Sequence, residues 1–370
     1  MFFFKRRMKI FMGIGIFKVY LREDSIIMTR LQNAQLFQMF VFCTLWICCV
    51  YLIFQKKHEK KHIKKLSILT VEKLVFDINN RKILNKEPVN NFKDRDIFLI
   101  NRSELLCGNS KCDSLEVLFI VKSYVLNFGQ REAIRRTWGG MTKLRSKTVF
   151  IIGYLDGIDY FVDFESEKYK DIVQLNVNDK YQNVVYKTIY ALLWLSKINI
   201  TSKFIHFVDD DRFVNPLNMY DVATQNINSA DLIVVGYLLN RSETIRDKSS
   251  KTYVSPEDYP FELYPPYIIG GTILTNEKTV GMLAVAVEYM KVIPIEDAYI
   301  GMVAHSINIS LKHHPAFLAY KQNLSSLHNG VSSPGYENTY ILMRDWNFLQ
   351  AKHHSIHLKK KLEMNEFGSD

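Results

Sequence analysis

The sequence predicts an α/β fold, a sheet of parallel strands with helices on both faces, preceded by a membrane-spanning segment. Two observations predict the sheet. Apolar runs of five to nine residues, rich in Val, Ile and Phe, recur along the chain, as strands buried on both faces require. Between them lie stretches whose apolar residues return at helical spacing. A third observation, an uncharged run of 19 residues ahead of them, predicts the membrane segment. With 370 residues, 48% of them hydrophobic, the chain has material for a sizeable core.

The uncharged run is LFQMFVFCTLWICCVYLIF (36–54). At about 1.5 Å per residue it matches the thickness of a bilayer core. QKKHEKKHIKK follows where a cleaved signal would place small residues, so the run reads as an uncleaved signal anchor behind a tail of residues 1–35. Seven basic residues before the anchor and six just after it leave the topology open. The net charge of +10 belongs to this region: residues 1–65 carry 13 Lys/Arg and three Asp/Glu, and the remainder 35 of each. The globular part therefore lacks the basic excess of a nucleic-acid binder, while the basic flanks suit anionic head groups.

Residues 55–114, Lys- and Asn-rich without sustained periodicity, are expected to form a stem. Five N-x-S/T sequons, at Asn101, Asn199, Asn240, Asn308 and Asn323, all follow the anchor and favour a lumenal side for the bulk of the chain. Cys43, Cys48 and Cys49 lie within the anchor. Cys107 and Cys112 either close a short disulfide loop or are two ordinary thiols. No zinc spacing exists, so metal chemistry must come from carboxylates or histidines.

Order begins at Leu115. EVLFIVKS (116–123), TVFIIGYL (148–155), DIVQLNV (171–177), FIHFV (204–208) and DLIVVGYLL (231–239) read as buried strands. REAIRRTWG (131–139), residues 160–170, 183–197 and 277–291 read as helices. YVSPEDYPFELYPPY, rich in Tyr and Pro, reads as an ordered loop lining a cleft, and the second half shapes its acceptor side.

Three segments carry chemistry. FVDDDRFVNP (207–216) places Asp209, Asp210 and Asp211 directly after a buried strand, where open α/β sheets gather ligands. Carboxylates there suit a hard cation able to bridge a diphosphate; a solvated acidic turn is the plainer alternative. IPIEDAYIG (293–301) sets Glu296 and Asp297 among apolar residues. That environment raises proton affinity and suits a general base, although acidic residues also favour a helix N-terminus. In the third, Arg131 and Arg135 are four apart on one helical face, fit either for a diphosphate or for structural ion pairs.

Read in order, IVKS (120–123), REAIRRTWG (131–139), DKYQNVVYK (179–187), DDDRFVN (209–215), YPPYIIGG (264–271) and EDAYIG (296–301) resemble the β-1,3-galactosyltransferase and β-1,3-N-acetylglucosaminyltransferase family, glycosyltransferase family 31. The resemblance covers about residues 115–350 and leaves 351–370 as a C-terminal tail. It implies a single GT-A-type, Rossmann-like domain in a type II Golgi membrane protein with its catalytic domain in the lumen. It also implies a hexosyltransferase that uses Mn²⁺ or Mg²⁺ and UDP-galactose or UDP-N-acetylglucosamine. The acceptor would be the 3-hydroxyl of a glycan on a glycoprotein or glycolipid, attacked with inversion. Asp211, Asp209 and, from SSLHNGVSSP, His328 fall on metal-binding positions. Asp297, with Glu296 beside it, falls on the base. Arg131, Arg135, Lys187, Asp209 and Asp210 fall on the donor side. Thr252 after Lys251, Val184–Val185 and the Gly270–Ile273 segment depart from the family pattern. These departures keep a second reading open, a weakly active or inactive member that binds glycans or a partner.

Overall fold

The computed structural model describes residues 88–92, 97–101, 114–198 and 201–366, with side chains through 352. The anchor at 36–54, most of the expected stem, Cys107 and Cys112 lie outside the described residues. Among those described, no helix is long and apolar enough to cross a membrane.

In chain order the strands are β1 (Phe98–Ile100), β2 (Leu115–Lys122), β3 (Ser146–Tyr154), β4 (Ile172–Asn178), β5 (Ser202–Asp209), β6 (Phe213–Val214), β7 (Ile233–Gly236), β8 (Leu238–Leu239), β9 (Ser242–Glu243), β10 (Leu263–Tyr264), β11 (Tyr267–Ile268), β12 (Thr272–Thr275), β13 (Ser310–His313) and β14 (Ser332–Ser333). The helices are α1 (Phe128–Arg136), α2 (Asp159–Tyr169), α3 (Val184–Lys197), α4 (Pro216–Asn226), α5 (Glu277–Ala286), α6 (Glu296–Ser306), α7 (Leu324–Leu327) and α8 (Thr339–Glu366).

Eight strands make one sheet in the order β1-β4-β3-β2-β5-β12-β7-β13. β2 is parallel to β3 and β5, and β3 to β4. β12 runs antiparallel to β5 and β7, and β1 antiparallel to β4. The sheet is therefore mostly parallel rather than wholly so. The reversed β12 matters for the site, because it brings its first residues, not its last, to the rim where β2 and β5 end.

The continuous Val/Ile/Phe runs are explained by cover on both faces. Leu118, Ile120, Val149, Ile151 and Val173 face α3, α5 and α6. Val117, Phe119, Val121, Phe150 and Ile152 face α1, α4 and α8. Each such side chain, fully buried, contributes about 1.5–3 kcal/mol. α3 is apolar nearly all round, with Ile189, Leu192 and Trp194 all buried, as a helix packed on several sides must be. Asn215 and Asn276 cap α4 and α5 by accepting from Asn218 N and Thr279 N.

Two boundaries differ from expectation. Part of the expected stem belongs to the domain: β1 extends the sheet, Phe92 is buried, and the Asn90 amide donates to the Val287 and Met290 carbonyls. A three-residue strand is too short to carry a periodic signal. At the other end α8 continues through the expected tail to Glu366.

Candidate active site

A cleft of about 730 Å³ opens at the carboxyl ends of β2 and β5. Lys122 and Asp209 are register partners on these neighbouring strands. The Lys122 ammonium, fully buried, donates to both Glu296 carboxylate oxygens at 2.6 and 2.8 Å and to the Gly270 carbonyl at 3.0 Å. It also lies 3.0 Å from Asp209 Oδ1. Burial alone would lower its proton affinity, but Asp209 and Glu296 outweigh burial and hold it above the ordinary lysine range. Glu296 additionally accepts from the Thr188 hydroxyl. Its carboxyl is pushed up to about 7 by burial, against the pull of Lys122.

Asp297, next in the first turn of α6, is placed differently. It lines the cleft, and a methyl group on Gly270 would overlap its carboxylate. Burial raises its proton affinity, with the Gly270 N–H opposing. Glycine at 270 is thus a matter of close approach.

The acidic loop divides by residue. Asp209 is 37% exposed at its side chain and turns to the cleft. Asp211 also lines the cleft; burial first, then the charge of Asp209, pushes its carboxyl up to about 6. Asp210 is 8% exposed and accepts from Ser123 Oγ at 2.6 Å, Asn127 Nδ2 at 3.0 Å and Tyr124 N at 3.2 Å. It fastens the loop after β2.

The same loop takes up the basic residues. Arg131, fully buried, donates to the Glu165 carboxylate through Nε and Nη2, to Ser123 Oγ, and to the Tyr124 and Val125 carbonyls. Lys187 bonds the Ser123 carbonyl at 2.7 Å and Asp179 Oδ1 at 2.6 Å, while Asp179 Oδ2 accepts from Val125 N and Gly153 N. Arg135 pairs with Asp171 and Glu165 and stacks on Tyr169 in a separate depression of about 540 Å³, away from the cleft.

The galactosyltransferase family model matches residues 129–315, half of the chain, and spans both acidic segments. The chain belongs to the galactosyltransferase family. It is 33% identical over 237 residues to the β-1,3-galactosyltransferase brn of Drosophila melanogaster, covering 62% of this chain and 72% of that protein. It is 28% identical over 293 residues to the β-1,3-galactosyltransferase bre-5 of Caenorhabditis elegans, covering 75% and 90%. To the mouse (Mus musculus) N-acetyllactosaminide β-1,3-N-acetylglucosaminyltransferase 2 it is 30% identical over 264 residues, covering 68% and 64%.

For a hexosyltransferase of this family, the fold brings Asp209, Asp210, Asp211, Glu296, Asp297 and Lys187 to one cleft. It does not bring Arg135 or His328 there. The His328 carbonyl accepts from Asn218 at the start of α4, and its side chain is outside the cleft lining. Among the described residues no group of three His, Cys, Asp or Glu could by itself hold a metal. Arg131 has no donor left for a diphosphate, since Glu165, Ser123 and loop carbonyls engage all of them, and Lys187 is already held by Asp179 and the Ser123 carbonyl. Sequence reasoning passed over Arg212, whose guanidinium stands over Gly271, and Tyr181, a half-exposed phenol near Asp297 and Asp209. The charge in DDDRFVN was the one available signal for Arg212.

Proposed function

We propose that the chain transfers galactose or N-acetylglucosamine from a UDP-sugar to the 3-hydroxyl of an acceptor glycan, in β-1,3 linkage with inversion. The observation carrying this is that Asp297 and the pair Asp209 and Asp211 line one cleft. A base for an alcohol and a seat for a diphosphate are thereby within reach of a single substrate pair. The family's relatives are named for β-1,3 transfer of both sugars, which leaves the donor to be chosen between them.

The chemistry follows from the residues. Asp297 accepts the proton of the 3-hydroxyl as that oxygen attacks the anomeric carbon, and its raised proton affinity suits a general base. Attack from the face opposite the nucleotide turns an α-linked donor into a β product. Glu296, held by Lys122 and Thr188, sets the first turn of α6 and thereby aims Asp297. Asp209 and Asp211, two carboxylates of one loop of which Asp211 has its proton affinity raised by burial and by the charge of Asp209, suit a divalent cation such as Mn²⁺ or Mg²⁺. Among the described residues no third His, Cys, Asp or Glu is grouped with them, so Asp209 and Asp211 are the residues that would hold it. When bound, such a cation would offset charge on the departing diphosphate.

The deciding experiment measures UDP release and product linkage by the full-length protein in detergent, with each donor and a panel of acceptor glycans, in Mn²⁺ and in EDTA. β-1,3 product that requires Mn²⁺ is expected; EDTA-insensitive turnover removes the metal role, and UDP release without transfer to any glycan removes the transferase reading. A type II Golgi protein with a lumenal domain is proposed on the anchor and sequons; Asn240, Asn308 and Asn323 are exposed. Endoglycosidase treatment of the expressed protein should then reduce its apparent mass, and an unchanged mass with all sequons intact argues against a lumenal domain.

A further inference from the structure

Four cationic side chains line the cleft among the described residues: Lys122, Lys180, Lys187 and Arg212. Lys122 is saturated by carboxylates and a carbonyl, Lys187 is held by Asp179 and the Ser123 carbonyl, and Lys180 is exposed. Arg212 is unlike them. It is 5% exposed, its Nη1 donates to the Leu318 carbonyl at 3.2 Å and, weakly, to Ser332 Oγ at 3.5 Å, and its buried Nε has no hydrogen-bond partner. A buried guanidinium with donors left over calls for a ligand, because an unmet buried donor is costly.

Its place is fixed from both sides. The Trp138 indole donates to its carbonyl at 3.1 Å, and its own N–H donates to the Asp209 carbonyl. The guanidinium lies against Gly271, where a Cβ would stand 2.5 Å from Nε and 2.6 Å from Nη2. Asp209, Asp211 and Asp297 are the acidic groups whose fields reach it. It therefore lies in the same cleft as the proposed cation seat and the proposed base, within reach of the charges of both.

We propose that Arg212 is a resident cation of the donor site, binding a phosphate oxygen of the nucleotide diphosphate through the uncommitted Nη2 of its guanidinium. The assignment rests on the reading of the cleft as a nucleotide-sugar site. It explains why the glycine pair ends in Gly271: any side chain there would displace the guanidinium. It also gives the cleft a positive charge that does not depend on a bound metal, so part of the affinity for diphosphate should persist without one.

Calorimetric titration of the full-length protein in detergent with UDP, and separately with uridine, in EDTA and in Mn²⁺, tests this. The wild type is expected to bind UDP in EDTA, and Arg212→Met to weaken that binding by about tenfold or more, with uridine binding unchanged. Gly271→Ala, which leaves the charge in the chain but moves it, should act in the same direction and serves if Arg212→Met fails to fold by thermal unfolding. Arg212→Lys should recover part of the loss. Equal UDP affinity of wild type and both displaced variants overturns the assignment. So does a wild type that binds UDP only with Mn²⁺, or a loss confined to the acceptor's KM. If the wild type binds no UDP under any condition and transfers no sugar, the nucleotide-sugar reading itself fails, an outcome distinct from these.

Discussion

Lys122 and Glu296, 174 residues apart, meet at 2.6 Å and join the end of β2 to the first turn of α6. The pair is buried, with side chains 2% and 9% exposed, so removing Lys122 leaves Glu296 buried without its cation, whereas removing Glu296 leaves Lys122 paired with Asp209. The first loss costs about 3–5 kcal/mol in comparable buried pairs. Lys122→Met should lower the thermal midpoint strongly and slow transfer, because Asp297 rides on the same helical turn. Lys122→Met combined with Glu296→Leu should be less destabilised than the sum of the two. Additive losses in thermal unfolding would show the contact to be incidental.

Asp297→Asn removes the proposed base while keeping its shape. The turnover number should fall by about 10²–10⁴-fold, with UDP affinity retained. The sign of the pH dependence follows from the base role: Asp297 acts ionised, and burial raises its proton affinity. Activity should therefore be lost on acidification at a pH above the ordinary aspartate range, and the corresponding limb should disappear in the variant. A pH–rate profile with the same acid limb in both proteins assigns that limb, and the base, elsewhere.

Asp210 and Asp211 should separate in their failures although they are neighbours. Asp210 accepts three hydrogen bonds from the β2–α1 loop, so Asp210→Ala strands those donors at about 1–3 kcal/mol. Its expected defect is thermal stability. Asp211→Ala removes a carboxylate with no such bonds to the loop, and its expected defect is Mn²⁺-dependent activity at near-normal stability. Comparing melting temperature with Mn²⁺ titration of activity checks both; identical profiles would contradict the division.

The parallel half of the sheet was legible because β2, β3 and β5 are built on continuous apolar runs, a pattern that double-sided burial imposes, while β4 keeps it only in its buried first half. The direction of β12 was not, since TILT after two glycines reads as a strand of either sense. The acidic members of the site were legible by type and order. The basic ones were legible by type only: whether an arginine is free depends on what neutralises it, and Glu165 lies 34 residues from Arg131 in sequence. The same holds for Lys187, whose partner Asp179 also fastens Val125 and Gly153. His328 illustrates the converse, a local likeness in a loop whose anchoring through Asn218 turns on α4 rather than on the cleft.

His206, in the middle of β5, should make the fold acid-sensitive. It is fully buried among Phe119 and Phe317, with Nε2 2.8 Å from the Thr272 hydroxyl. Burial, with a smaller effect of Arg212, lowers its pKa from 6.5 to about 3. The unfolded chain therefore takes up a proton below pH 6.5 that the folded chain refuses, so stability is intact above that value and declines as pH falls from about 6.5 towards 3. Between pH 7 and pH 5 this one group should withdraw about 2 kcal/mol. His206→Gln keeps a polar group facing Thr272 but does not titrate. Its stability, measured by denaturant unfolding at both pH values, should fall by about that much less than the wild type's. An equal fall in the two proteins would assign the acid sensitivity to the carboxylates instead.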